Sequence, residues 1–382
     1  MKNHNSLKYF FPVMLSFYVM GFVDIVGVAT GFLKKDFGLS DSVAQLLPFG
    51  VFIWFALLAI PTGVFQDRKG KRLTVNIGML ITGIGMLIPF VYYSLPTAII
   101  GFAVLGVGNT ILQVSANPLL LDISPTENKA ANLSLSQFVK AIASMLGPII
   151  AASLALYTGN WKLIFPIYAF ISVIAVLWLR SVSIKETKTN KPPATLKSVF
   201  ALLNNRFILI MVFAIFFMIG FDVTMNTSIA NFLSNRFGIS IETASFGISI
   251  YFLALMIGRF LGAILLRKID TKIFMVISTI LSFIGLIGLI LSDNLLLTQI
   301  MIFVAGFGFS NIFPIMFAII VEKKPEYVNE LSGLIILAVC GGAIIPPISG
   351  LLTQFFGITA SIFVLLFCIL YVAYATYYTI KK

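Results

Sequence analysis

The chain has one histidine, His4, and two cysteines, Cys340 and Cys368, in 382 residues. That is too little for a disulfide framework, a metal centre or imidazole-based catalysis. Charge is scarce as well: 10% of residues are Asp, Glu, Lys or Arg, against about 25% in soluble domains. In their place stand apolar residues, 59% of the chain, with a mean hydropathy of +1.04. This composition argues against a soluble globule and for a chain that crosses a membrane many times. The first apolar run is long and has no small-residue cleavage site, so it reads as a span and not as a signal peptide.

Apolar runs predict an all-α membrane protein of twelve transmembrane helices, at roughly 9–33, 42–66, 73–93, 97–121, 131–156, 161–180, 207–233, 241–266, 272–292, 296–321, 330–356 and 359–380. Each approaches or exceeds the roughly 20 residues that a crossing needs. An even number puts both termini on one side. If that side is the cytoplasm, it holds 20 Lys and Arg residues and the other side holds four, Lys34, Lys35, Lys162 and Arg236. The net charge of +12 is therefore a topology signal and does not call for a nucleic-acid partner.

The longest polar connection, 181–206, is Lys-rich and carries Pro192-Pro193. It divides the chain into six-helix bundles at 1–180 and 207–382, with a linker whose segment 196–203 reads as an amphipathic surface helix. The halves repeat at an offset near 200. Phe37-Gly38-Leu39-Ser40 returns as Phe237-Gly238-Ile239-Ser240, and Gly106-Val107-Gly108 returns as Gly306-Phe307-Gly308.

Several polar side chains stand deep in the apolar runs. Asp24 lies about two-thirds along the first, where an acid costs on the order of 2.5–3.5 kcal/mol and points to a substrate or ion pathway. Asn109, Gln113 and Asn117 recur every four residues, so they share one face of helix 4 within about 80°. That face suits hydrogen bonding to hydroxyls, or gluing helices together. In helix 5, Asn132, Ser136, Lys140 and Ser144 form a stripe with Gln137 at its edge. Lys140 sits too deep to reach the surface easily. It either pairs with Asp24 or binds an anionic substrate. Asp222 and Asn226 are neighbours on one face of helix 7 and weakly mirror Asp24. They read as a second wall of the site, or as interhelical bonds. Tyr251 and Asn311 are further candidates for contacting substrate, and Arg259 for anchoring a gate.

Between helices 2 and 3 stands Gly63-Val-Phe-Gln-Asp67-Arg68-Lys69-Gly70-Lys71-Arg72. This closely resembles the signature loop of the major facilitator superfamily, G-x-x-x-D-R-x-G-R-K, and marks Gly63, Asp67, Arg68, Gly70 and Arg72 as its equivalents. The helix 4 sequence Gln113-x-x-x-Asn117-Pro118, the helix 10 sequence Asn311-Ile-Phe-Pro314 and the helix 11 sequence Gly341-Gly-Ala-Ile-Ile-Pro346-Pro-Ile-Ser-Gly350 are similar to the fucose permease family, proton-coupled sugar symporters. The resemblance implies two pseudo-symmetric six-helix bundles with a substrate site at the midplane. It also implies a proton-linked aspartate at Asp24. The family's glutamate in helix 4 falls at Gln113, and its neutral amide in helix 5 falls near Lys140, so this chain departs from the pattern at both.

The expected function is proton-coupled uptake of a monosaccharide or sugar derivative by alternating access. The proton-coupling set is Asp24, Lys140 and Asp222. The sugar would be held by Asn109, Gln113, Asn117, Gln137, Lys140, Asn226, Tyr251 and Asn311. The alternatives are a proton-coupled exporter of drugs or metabolites, and an importer of an anionic sugar acid read by Lys140. No nucleophile–base–metal cluster points to an enzyme. The expectation is a monomer with no cofactor other than the coupling proton. It would lie in a bacterial-type inner membrane with both termini cytoplasmic.

Overall fold

The computed structural model describes residues 4–39, 46–186, 195–239, 244 and 246–381. Lys2, Ser40, Lys188, Lys191, Pro192, Pro193, Ser240 and Lys382 lie outside the described residues, as do the first residues of the second and eighth expected spans. The described residues are helical throughout their regular structure, with no strand. Twelve stretches among them are long and apolar enough to cross a membrane. They are α1 (Lys8–Ala29), α2 (Pro48–Lys69), α3 (Lys71–Val91), α4 (Leu95–Ile123), α5 (Lys129–Thr158), α6 (Trp161–Ser181), α7 (Arg206–Asn226), α8 (Gly247–Leu265), α9 (Thr271–Leu291), α10 (Leu295–Lys323), α11 (Pro325–Thr353) and α12 (Thr359–Lys381). The protein is an all-α, multi-pass membrane protein. Helices are what hydrocarbon permits, because each backbone amide must find its partner within the segment.

Helix ends follow local chemistry. Ser94 accepts from the Thr97 amide, and Thr97 Oγ1 accepts from the Ser94 amide, closing a reciprocal cap on α4. Asn294 caps α10 through the amides of Leu296 and Leu297, 200 positions after Ser94. The helices containing α1 and α7 both end near a glycine in the left-handed region, Gly38 (φ 61°) and Gly238 (φ 63°). A side chain would be strained there. The expected amphipathic segment forms helix Leu196–Ala201 and continues as a tighter turn through Asn204.

The repeat extends to packing. A Cβ on Gly106 would meet Val51 O at 2.4 Å, and one on Gly306 would meet Tyr251 Cδ2 at 2.8 Å; Gly108 meets Thr82 N and Gly308 meets Ser282 N, at 2.4 and 2.5 Å. Each pair of partners is also 200 apart, so α2–α3–α4 and α8–α9–α10 are built by the same close approaches. The helix ends are tied at equivalent positions too. Asp36 accepts from Tyr93 Oη (2.5 Å) and Trp161 Nε1 (3.0 Å), while Arg236 donates to Asp293 (3.1 Å) and to the Ile290 carbonyl (3.0 Å). Positions 36 and 236, and 93 and 293, thus exchange donor for acceptor between the halves. Burial, and secondly the Asp36 carboxylate, hold the Tyr93 phenol above its ordinary value.

The chain forms two compact units. One comprises Met1–Thr126, Val139–Phe200 and Lys324–Leu337; the other comprises Glu127–Phe138, Ala201–Lys323 and Ala338–Lys382. Both α5 and α11 are therefore divided between units, at equivalent points. Three spans depart from regular α-helix in their interior: α1 tightens to a 3-10 turn over Gly21–Asp24, α10 is interrupted between Phe309 and Ile312, and α11 has a 3-10 turn over Ala338–Cys340.

Candidate functional site

In the first unit, the 3-10 turn of α1 holds the site together. Tightening the helix at Gly21–Asp24 redirects backbone groups, and the Met20 carbonyl accepts from Asn109 Nδ2 at 2.9 Å. Gln113 Nε2 donates to Asn109 Oδ1 (2.8 Å), and Asn117 Nδ2 to the Gln113 carbonyl (3.0 Å). The three amides share a face, as their spacing requires. All three are buried, and their amide nitrogens donate within the ladder and to α1. The ladder braces the turn. Asn117 Oδ1 is buried with no partner among the described residues.

Asp24 is half-buried at the end of that turn. Its Oδ2 accepts from Ser144 Oγ on α5. Ser144 Oγ also lies 3.0 Å from the Lys140 carbonyl. One hydroxyl hydrogen serves two acceptors, and an ionised carboxylate is the stronger of them. Close approach makes this possible: a Cβ on Gly21 would lie 2.6 Å from the Lys140 carbonyl oxygen. Lys140 is half-buried, and among the described residues no ion pair joins it to Asp24. Ser144 was visible in the sequence as the last member of the α5 stripe, but its spacing gave no hint that it, and not Lys140, would hold Asp24.

In the second unit, Asp222 accepts from Tyr251 Oη at 2.7 Å. Tyr251 is fully buried beneath Gly306, and Phe221 beside Asp222 stacks on Phe309 at 4.6 Å. Asn226, one turn on, is half-buried, and Gln137 is buried. Asn311 is buried and donates to the Gly258 carbonyl (2.7 Å) and Ser310 Oγ (2.9 Å), while Ser134 donates to its Oδ1 (2.5 Å). Asn311 therefore sits in helix packing, with Gly262 directly against its side chain. Arg259 Nε donates to the Ser310 carbonyl at 3.4 Å, and its own carbonyl accepts from Ser134 at 2.8 Å.

The signature loop is organised by α11. Asp67 Oδ1 accepts from Asn329 Nδ2 at 2.8 Å, and Gln66 Nε2 donates to the Asn329 carbonyl at 3.3 Å. Ser332 donates to the Val114 carbonyl of α4. Gly63 leaves room for this contact: a Cβ there would lie 2.8 Å from the Asn329 carbonyl oxygen. Arg68 is exposed. Gly70, at φ 98°, turns the chain into α3, whose first amides, Lys71 N–H and Arg72 N–H, donate to Glu186 at 2.6 and 3.0 Å. A carboxylate at a helix N-terminus is favoured by the helix dipole. Arg72 Nη1 donates to the Val182 carbonyl. Lys71 pairs with Asp122 at 2.7 Å, with side chains 2% and 6% exposed. Asn329, Asp122 and Glu186 are far from the loop in sequence, and no local pattern marked them. No cluster of three or more His, Cys, Asp or Glu side chains suited to a metal occurs among the described residues.

The sequence profile of the Major Facilitator Superfamily matches residues 11–224 and 212–381. The chain belongs to this superfamily. It is a membrane transporter, and the resemblance read from its signature loop and from helices 4, 10 and 11 holds. It is 24% identical over 376 residues to the glucose/galactose transporter of Brucella abortus biovar 1 (strain 9-941), covering 94% of this chain and 91% of that one. It is 25% identical over 365 residues to the putative glucose/galactose transporter of Helicobacter pylori (strain ATCC 700392 / 26695), covering 90% and 89%. Among solved structures, the transporter FucP in the outward conformation superposes with a TM-score of 0.85 at 14% identity, covering 97% of this chain and 98% of that one.

Proposed function

We propose that this transporter carries a monosaccharide or a close derivative into the cell together with a proton, by alternating access. The observation that carries the reading is Asp24: a half-buried carboxylate in a membrane span, at a helix break, held by one hydroxyl. Ionised, Asp24 takes the hydrogen of Ser144. Protonated, it becomes the donor toward Ser144 Oγ, and Ser144 can turn its hydrogen to the Lys140 carbonyl, 3.0 Å away. One proton thus changes how α1 is tied to α5, which is the kind of local event that biases a two-state element.

Asp222 with Tyr251 is the corresponding pair of the second unit. Gln137, Asn226 and Lys140 contact the sugar in this reading, while Asn109, Gln113, Asn117 and Asn311 position the helices around it. The Asp67–Asn329 contact is the gate that breaks and reforms in each cycle, with Arg259 anchoring its counterpart. The transporter works as a monomer in a bacterial inner membrane, with both termini in the cytoplasm, as the Lys and Arg distribution favours. Support for a sugar comes from the two curated relatives, each named for glucose and galactose and matched over about nine-tenths of its length. FucP is a fucose:proton symporter.

The test is uptake into proteoliposomes under an imposed pH gradient. Asp24→Asn is expected to abolish accumulation while leaving exchange of substrate down its own gradient. Gradient-driven uptake at the unsubstituted level by that variant would refute the reading.

A further inference from the structure

We infer that Lys140 binds the carboxylate of an acidic monosaccharide, so that the substrate class is the sugar acids and not the neutral hexoses. The inference rests on the proton-coupled reading of Asp24 and adds the chemistry of what travels with the proton. Lys140 stands eleven positions after Lys129, the first residue of α5, well inside the span. An ammonium group at such depth needs a counter-charge. Asp24 is the obvious donor of one, yet it bonds Ser144, and no ion pair joins it to Lys140. Tyr18 and Tyr168 flank the ring of Phe22, two residues before Asp24. Neither supplies a negative charge at neutral pH.

Charge balance points the same way. Counted over Asp24 and Lys140 alone, the empty carrier sums to zero, carboxylate against ammonium. Loaded with a proton and a neutral sugar, the site would carry +1. Loaded with a proton and a monocarboxylate, it returns to zero: the proton neutralises Asp24 and the substrate offsets Lys140. A sugar phosphate, with about two negative charges, would leave the site negative. Only the monocarboxylate lets both the empty and the loaded forms re-orient without an uncompensated charge in low dielectric. Gly21 fixes the Lys140 backbone against α1, so the substrate's carboxylate is read within a turn or two of the proton.

The experiment is uptake of labelled glucuronate, glucose and glucose 6-phosphate by the full chain in proteoliposomes, with the pH gradient imposed and the membrane potential clamped separately. Glucuronate is expected to accumulate in response to the pH gradient alone, at a rate unchanged by a potential of about 100 mV. It should also compete against any glucose uptake. Lys140→Gln is expected to lower glucuronate uptake about tenfold or more, a larger loss than it causes in any glucose uptake, and Lys140→Arg to restore it. The potential and competition measurements use the unsubstituted protein, so they decide even if a variant folds poorly. Glucose uptake that increases with potential, without transport of or competition by glucuronate, would overturn the inference and leave proton-coupled sugar uptake standing. No gradient-driven uptake of any of the three sugars would overturn both.

Discussion

Gly21→Ala tests how closely α1 must approach α5. A Cβ at this position lies 2.6 Å from the Lys140 carbonyl oxygen and 2.7 Å from Ala143 Cβ. Comfortable carbon contacts run about 3.5–4.0 Å, so α1 must withdraw by about 0.9 Å or rotate. Overpacking of this kind costs about 1–3 kcal/mol, a factor of about 5–150 in an equilibrium constant. The same movement carries Asp24 away from Ser144, one turn further along α5. Gradient-driven uptake in proteoliposomes and thermal unfolding in detergent measure the two consequences, and both are expected to fall. Adding Ala143→Gly removes the side-chain contact but leaves the carbonyl in place, so it should restore only part of each. Unchanged uptake and stability in Gly21→Ala would refute the argument, and so would full recovery in the double variant.

The buried Lys71–Asp122 pair should behave asymmetrically. Lys71→Met or Asp122→Leu alone leaves a buried charge and costs about 3–5 kcal/mol, while the two together cost far less; equal losses in thermal unfolding for all three would contradict the burial argument. Asn329→Asp sets a second carboxylate against Asp67, where the amide now donates at 2.8 Å. Its melting temperature should lie below that of the unsubstituted protein at pH 8 and approach it on acidification, as one carboxyl of the pair takes up a proton. Tyr93→Phe removes the bond to Asp36. Because Asp36 is exposed, the loss is expected at the low end of the usual range, about 0.5 kcal/mol. The folded phenol holds its proton more tightly than an ordinary tyrosine with a value of 10.0. Its contribution is therefore fully present below pH 10 and lost progressively as the pH rises from there through the higher folded value, so the difference between Tyr93→Phe and the unsubstituted protein should shrink at strongly alkaline pH.

The architecture was legible because its causes are local. Runs of apolar residues declare spans, and the offset of 200 reappears in the packing partners of Gly106 and Gly306 and of Gly108 and Gly308. The site was legible only in part. The four-residue spacing of Asn109, Gln113 and Asn117 placed them on one face, but spacing does not say what that face meets. It meets a break in α1 that Gly21-Phe-Val-Asp24 does not announce, since those residues are as compatible with an ordinary helix. Charge and depth made Asp24 and Lys140 natural partners. The geometry of a helix pair brought close by Gly21 gave Asp24 to a serine one turn beyond the lysine. The partners of the signature loop were hidden for a simpler reason: Asp122, Glu186 and Asn329 reach it from 51, 115 and 262 positions away from their bonded residues.

The last of those separations has a consequence for how the protein is made. Asp67 leaves the ribosome 262 residues ahead of Asn329. At about 5–20 residues per second, the interval is about 13–50 s. Once α4 has followed, α2 and α4 stand in the bilayer with the groove beside Gly63 open, without the bonds that Asn329 and Ser332 bring to Gln66 and Val114. The first unit is thus completed by almost the last helix to be synthesised. Quality-control proteases of the membrane meet a half-made transporter with that groove exposed, and variants that slow the arrival or weaken the seating of Asn329 and Ser332 lengthen the exposure.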